Sequence, residues 1–275
     1  DLVAANSAVV ANTAKVGITT DQADAIESNS NKVRYGDKTI AAGLNSFENL
    51  GDENVGFGNT VYGARSLKDN TTGSGNVSIG YEALSGNTTG WYNIGIGYQA
   101  LTGENSADGN VAIGHEALKE NTSGGNNIAL GAGNLRYNTE GTDLVSVGVG
   151  SMFSNTTGNM NVAIGRLALY KNTTASDNVA VGTYALYENT TGSQNTAAGK
   201  SSLRNNTIGE SNTAYGFHSL EANTEGKYNT ANGYNALSNN TTADYGTAIG
   251  AKALQANTTG LGNTAVGTNA LESNT

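Results

Sequence analysis

The chain has 275 residues, of which 38 are glycine and none is proline or cysteine, and its formal net charge is −9. That charge disfavours a nucleic-acid partner, which needs a basic track along its phosphates, and an anionic membrane surface for the same reason. No run of about 20 apolar residues is available to span a bilayer, and a chain without cysteine has no disulfide framework or thiol chemistry. No secretory leader is visible at Asp1.

Residues 1–35 carry no long repeat and read as helix. Val9, Asn12, Thr13 and Val16 form V-x-x-N-T-x-x-V, with Val at heptad position a and Asn at d; Ile26, Asn29, Ser30 and Val33 repeat the pattern as I-x-x-N-S-x-x-V. Gly17 separates the two, and Thr19 with Gln22 fits a capping box. Neither piece is long or apolar enough to be stable alone. Both make sense as strands of a coiled coil, where a buried Asn sets register and oligomer state at a cost in stability. Asn at d suits a threefold axis, so a short trimeric stalk is expected here.

From residue 36 the chain is periodic. A glycine returns every 17 residues from Gly63 to Gly267, and Gly43 joins the series if three extra residues are allowed in Glu48–Gly58. The five residues ending on this glycine read NVSIG (Asn76–Gly80), then NIGIG, NVAIG and NIALG in later units. This predicts a short strand with bulky aliphatic residues on one face and Ala, Ser or Gly on the other. With neither face polar, the strand is expected to be buried on both sides.

After the glycine come two variable residues, then Ala or Ser, then Leu, as in Ala83-Leu84, Ala100-Leu101 and Ala185-Leu186, with Phe47 and Met152 in the Leu slot of two units. A Leu column of this kind is the expected core. Two more variable residues precede Asn-Thr-Thr-Gly, seen at Asn70–Gly73, Asn155–Gly158 and Asn257–Gly260. Asn and Gly favour a turned backbone, and stacked Asn and Thr can hydrogen-bond along an array. One unit is therefore one coil of an all-β solenoid, or β-roll. Residues 36–275 should hold about fourteen coils and extend roughly 65 Å.

Along the array the first strand residue changes from Val or Ile to Thr196, Thr213, Thr230, Thr247 and Thr264, and the third is interrupted by Ala198, Tyr215 and Asn232. An Asn232 buried without a partner in a single-chain core is costly. It is easier to accommodate where copies meet around an axis, which again points to a homotrimer.

Catalytic chemistry is not legible. His115 and His218 are the only histidines, both at variable positions, and no acid–base pair, metal set or calcium nonapeptide assembles around them. No enzyme and no cofactor is expected. Eight Asn-Thr-Thr or Asn-Thr-Ser triplets match the N-glycosylation pattern, but their phase-locking to the corner gives them a structural reason. Aromatic residues are the candidates for recognition. Tyr81, Tyr98, Tyr184 and Tyr234 follow the glycine, Trp91-Tyr92 follows a corner, and Tyr137, Tyr170 and Tyr187 lie just before Asn-Thr. They could contact a glycan, with Tyr81, Trp91, Tyr92, Tyr98, Tyr184 and Tyr234 as the contact set, or cover neighbouring coils and subunit seams, which is the favoured reading. The Thr-Thr columns raise a further alternative, an ice-binding face, although Glu140, Ala175 and Glu225 interrupt them.

Two resemblances follow from these motifs. V-x-x-N-T resembles the stalks of trimeric autotransporter adhesins, which implies that Asn12 and Asn29 surround a central anion such as chloride. The NVAIG-type strand (Asn110–Gly114, Asn161–Gly165) is similar to the trimeric β-roll heads of those adhesins, whose repeats are shorter. The whole unit, N-T-A-I-G-x-x-A-L-x-x-N-T-T-G, resembles repeats of bacteriophage tail-fibre-like proteins, where a self-cleaving chaperone domain often follows; here the sequence stops within a repeat at Asn274-Thr275. These resemblances imply a homotrimeric structural and adhesive fibre, either a virion tail fibre contacting a host glycan or protein receptor, or the passenger of a bacterial surface adhesin. No nucleic-acid partner and no membrane insertion of this segment is expected.

Overall fold

A computed structural model describes residues 56–103 and 106–275 together with the strand Ile40–Ala42. The expected stalk, with Asn12 and Asn29, lies outside the described residues. Three-residue strands recur once per coil: β1 (Ile40–Ala42), β2 (Thr60–Tyr62), β3 (Val77–Ile79), β4 (Ile94–Ile96) and onward at the same interval to β14 (Thr264–Val266). They form one fourteen-stranded sheet in sequence order, each strand parallel to the next. Val77 pairs with Ile94, Ile94 with Val111 and Thr247 with Thr264, so register equals the sequence period. Ile40 pairs with Thr60, which makes the coil between them three residues longer, as the glycine spacing requires. The expected β-solenoid forms, and no helix occurs among the described residues.

The interior is a narrow column. Leu67, Leu84, Leu101, Leu118, Leu135, Met152, Leu169 and their successors to Leu254 are 0% exposed, at about 1.5–3 kcal/mol for each fully buried side chain. The wall opposite them is the middle residue of each strand, among them Ala112, Ala129, Ser146, Ala163 and Ala180, also fully buried. The expectation of a doubly buried strand is overturned in the single chain. Only the small-residue face points inward, while the aliphatic residues on either side of it are half-buried or exposed, as in Val111–Ile113 and Val162–Ile164. The Leu column already fills the lumen: a Cβ added at Gly95 would lie 3.0 Å from Leu84 Cγ. Asn232, expected in a core, stands on the exposed outer side of its strand for the same reason.

Polar side chains complete the interior. In the first asparagine ladder, Asn76 N donates to Asn59 Oδ1 (2.9 Å) and Asn93 N donates to Asn76 Oδ1 (2.8 Å), while Asn76 Nδ2 donates to Gly90 O (2.9 Å). In the second, at the Asn-Thr corner, Asn155 Nδ2 donates to Asn138 Oδ1 (2.8 Å) and Asn172 Nδ2 to Asn155 Oδ1 (2.7 Å). Each corner amide also donates to a carbonyl three residues on, as Asn189 does to Gly192 O (2.9 Å). Most buried amides are therefore satisfied by the copy in the neighbouring coil, Asn87 Oδ1 and Asn178 Nδ2 being left without a partner among the described residues, and each link contributes roughly 0.5–1.5 kcal/mol net.

Backbone conformation explains the glycine. At Gly182 φ is 135°, and an added Cβ would fall 2.6 Å from Gly199 O and 2.7 Å from Gly199 C. Side chains are excluded there both by φ and by the next coil. Non-glycine residues occupy the left-handed region at three other phases, including the Leu column (Leu186 φ 50°) and the residue before the first asparagine (Met160 φ 53°). Such a conformation costs about 1–2 kcal/mol per residue, offset at Leu186 by complete burial.

Three substitutions test this account in thermal or urea melts. Gly182→Ala is expected to destabilise by about 3 kcal/mol or more. Met160→Gly, at an exposed left-handed position, should stabilise by about 0.5 kcal/mol, the relieved strain less the glycine's added chain entropy. Asn189→Asp should cost about 2–4 kcal/mol at neutral pH, because a carboxylate cannot donate to Asn172 Oδ1 or Gly192 O.

Candidate functional site

Two outward surfaces are built by the coil. The first is the exposed strand face. Because alternation sends the middle residue inward, the first and third residues of each strand form two parallel columns. Val77, Ile94, Val111, Ile128, Val145, Val162 and Val179 make one; Ile79, Ile96, Ile113, Leu130, Val147, Ile164 and Val181 make the other. Ile113 is 38% exposed, Ile164 41% and Val181 39%. An uninterrupted aliphatic ribbon seven strands long covers about 30 Å of the shaft. From Thr196 onward the first column is threonine.

The second surface carries the variable residues after the glycine. The six aromatic residues singled out from sequence do not converge on one site. Tyr81 stacks on Tyr98 with ring centroids 5.6 Å apart, and Tyr98 stacks on His115 at 5.2 Å. Tyr234 stacks on Phe217 at 5.7 Å. Tyr184 meets Tyr187 edge-on at 5.5 Å, and Trp91 meets Tyr92 edge-on at 6.2 Å on the separate side between the corner and the strand. Tyr170 and Tyr187, marked by their place before Asn-Thr, stack with Phe153 in a ladder at 5.1 and 5.3 Å, and Tyr228–Tyr245, not marked by the sequence pattern, form another at 5.3 Å. Their 17-residue separations were the available signal. Stacked rings turn their faces to one another, so within these ladders the aromatic edges, not the faces a sugar would pack on, meet solvent.

Charged side chains follow the same columns. Arg65 pairs with Glu82 at 2.8 Å, Lys171 with Glu188 at 2.6 Å and Lys227 with Glu210 at 3.0 Å, each bridging neighbouring coils. The hydrogen bond from Lys119, aided by Arg136 and opposed by burial, holds the Glu116 carboxyl below the usual carboxylate range. The hydrogen bond to Glu188 raises the Lys171 ammonium above its ordinary value. These are solvated pairs of small energetic weight.

The remaining candidates have structural employment. The asparagines of the glycosylation-like triplets, among them Asn70, Asn87, Asn121 and Asn155, are 0–1% exposed inside the corner ladder. The first threonine of most corners donates its hydroxyl to the next coil, as Thr156 Oγ1 does to Thr173 O (3.0 Å), and Glu140 and Glu225 stand exposed in the adjoining column. His115 is exposed against Tyr98, and His218 contacts Glu221. Among the described residues no group of three or more His, Cys, Asp or Glu side chains is placed to hold a metal ion. Tyr170→Ser, which removes both of that ring's stacks, should lower stability by about 1–2 kcal/mol, whereas Trp91→Ser should change it by less than about 0.5 kcal/mol; paired urea melts compare them. No protein-family model, curated protein or solved structure matches the chain.

Proposed function

We propose that this chain is the shaft of a homotrimeric fibre that gives rigid reach and displays its variable outer columns to a target surface, in the manner of a phage tail fibre contacting a host. The observation that carries the reading is the exposed aliphatic ribbon from Val77 to Val181. A strand face of Val, Ile and Leu left in water is the kind of contiguous apolar surface that marks an association site. Three copies facing a common axis bury it and leave the aromatic and charged columns outside. The tail-fibre-like repeat unit and the Asn-at-d heptads of residues 1–35 support threefold association.

Stiffness follows from the same construction. Every coil is bonded to the next through backbone on all its sides, for example Val77 N to Asn93 O (2.8 Å), Leu84 N to Ala100 O (2.9 Å) and Thr71 N to Thr88 O (2.8 Å). No hinge interrupts the bonding among the described residues from Gly109 onward. Such a shaft transmits position and force without enzymatic chemistry.

Sedimentation equilibrium tests the assembly. A mass three times the 28.0 kDa of one chain is expected, independent of concentration in the micromolar range, and a purely monomeric or dimeric mass overturns it. Replacing Ile96 and Ile113 by Glu places two carboxylates in the ribbon and should shift the mass toward one chain while leaving the β-rich circular dichroism spectrum in place.

A further inference from the structure

We infer that Arg166, Tyr184, Lys200 and Arg204 form a binding site for the anionic groups of an acidic polysaccharide. The inference concerns the outer columns and requires nothing of how copies of the chain associate.

The cluster is assembled across three coils. Arg166 and Lys200 stand in the same column, directly after Gly165 and Gly199, and both are exposed. Tyr184 lies in the intervening coil. Its hydroxyl accepts a hydrogen bond from Arg166 Nη1 (2.9 Å), and its ring has the Arg166 guanidinium carbon 5.7 Å away and that of Arg204 5.5 Å away. Lys200 Nζ lies 5.7 Å from the Phe217 ring. Two guanidinium groups on one tyrosine, with an ammonium in the coil of the second, concentrate positive charge in a chain whose net charge is −9.

Carboxylates do not neutralise the group. Arg166 and Lys200 have no ion-pair partner among the described residues. Arg204 has only Glu221 at 3.9 Å, and that carboxylate is also engaged by His218. Elsewhere the basic residues are closely paired, as Arg65, Lys119 and Lys171 show. Like charges held together cost free energy unless an anion joins them, and the planar guanidinium fork suits sulfate and carboxylate oxygens. Tyr184 orients Arg166 through its hydroxyl.

The geometry favours a glycan over a nucleic acid. Single-stranded nucleic acid binds where open aromatic faces receive its bases and a continuous basic track follows its backbone. Here two guanidinium groups crowd the single Tyr184 ring, at 5.7 and 5.5 Å from its centre, and the adjoining Phe153–Tyr170–Tyr187 rings are stacked on one another. An acidic polysaccharide running along the shaft needs neither; it needs separated cationic points at coil intervals.

The test is equilibrium binding of the full chain to dextran sulfate oligosaccharides, with unsulfated dextran of equal length and oligothymidylate as comparisons. Sulfated chains should bind and weaken as salt screens the cluster, and unsulfated dextran should not bind. Arg166→Gln with Arg204→Gln should weaken binding about tenfold or more. The charge-matched pair Arg65→Ser with Lys252→Ser, distant from the cluster, should change it less than about twofold. Lys200→Ser alone, at an exposed position, should weaken binding about threefold and guards against a folding defect in the double variant. Equal losses from the two charge-matched pairs, binding of oligothymidylate as tight as that of the sulfated chain, or no binding at low salt would each overturn the assignment.

Discussion

The close approach of one coil to the next at the periodic glycine governs the rest of the molecule. Where Gly182 passes Gly199 there is no room for a side chain, and the peptide of one coil rests directly on that of its neighbour. At this separation each strand can bond only to its own equivalent, which locks the coils in phase. Phase-locking then stacks like on like: leucine on leucine, amide on amide, ring on ring. A one-residue slip would break every one of these columns together.

Interior amides show how strongly that stacking is used. A buried asparagine in an isolated coil would strand donors and acceptors at a cost of about 1–3 kcal/mol for each group. In the array, the neighbouring copy supplies the partner. The first ladder also tolerates gaps, because its acceptor is met by backbone and not by a second amide. Leu144 and Gly246 replace asparagine there, yet their backbone N–H groups still donate to Asn127 Oδ1 (3.1 Å) and Asn229 Oδ1 (2.8 Å). The corner ladder links side chain to side chain, and where it is interrupted after Asn87 the Oδ1 of that residue is buried without a partner among the described residues before the ladder resumes at Asn121 and Asn138.

A division of labour follows. Inward positions are fully committed to the lumen, so variation is confined to residues whose side chains leave the coil. These separate into an aliphatic ribbon on the strand, suited to covering by further copies, and mixed aromatic and charged columns that stay in water. The αL residues among the variable columns, such as Tyr184 at φ 61°, hold their side chains at fixed angles to the shaft. Recognition on such a surface is set by which side chains line up over several coils, since no single coil is large enough to enclose a ligand.

Periodicity made much of this legible without coordinates. A strict spacing guarantees that residues one period apart become neighbours, so the strand, the Leu column, the Asn-Thr corner and the longer first coil could be read from residue order. It also made the Tyr81–Tyr98 contact foreseeable. Alternation, however, states only that a strand has two unlike faces. Which face enters the lumen depends on the space left by the opposite wall, and the leucines leave room mostly for Ala, Ser or Gly, with Val61 the one bulkier residue admitted among the described strands. For that reason the aliphatic ribbon and Asn232 lie outside. The cationic cluster was hidden for a different reason: Arg166, Tyr184 and Arg204 do not share a column, and only the backbone angles at each position bring two guanidinium groups to the same ring. Sequence determined the neighbours along the shaft, where the period alone sets distance; the folded coil decided direction, because inside and outside are properties of a closed turn.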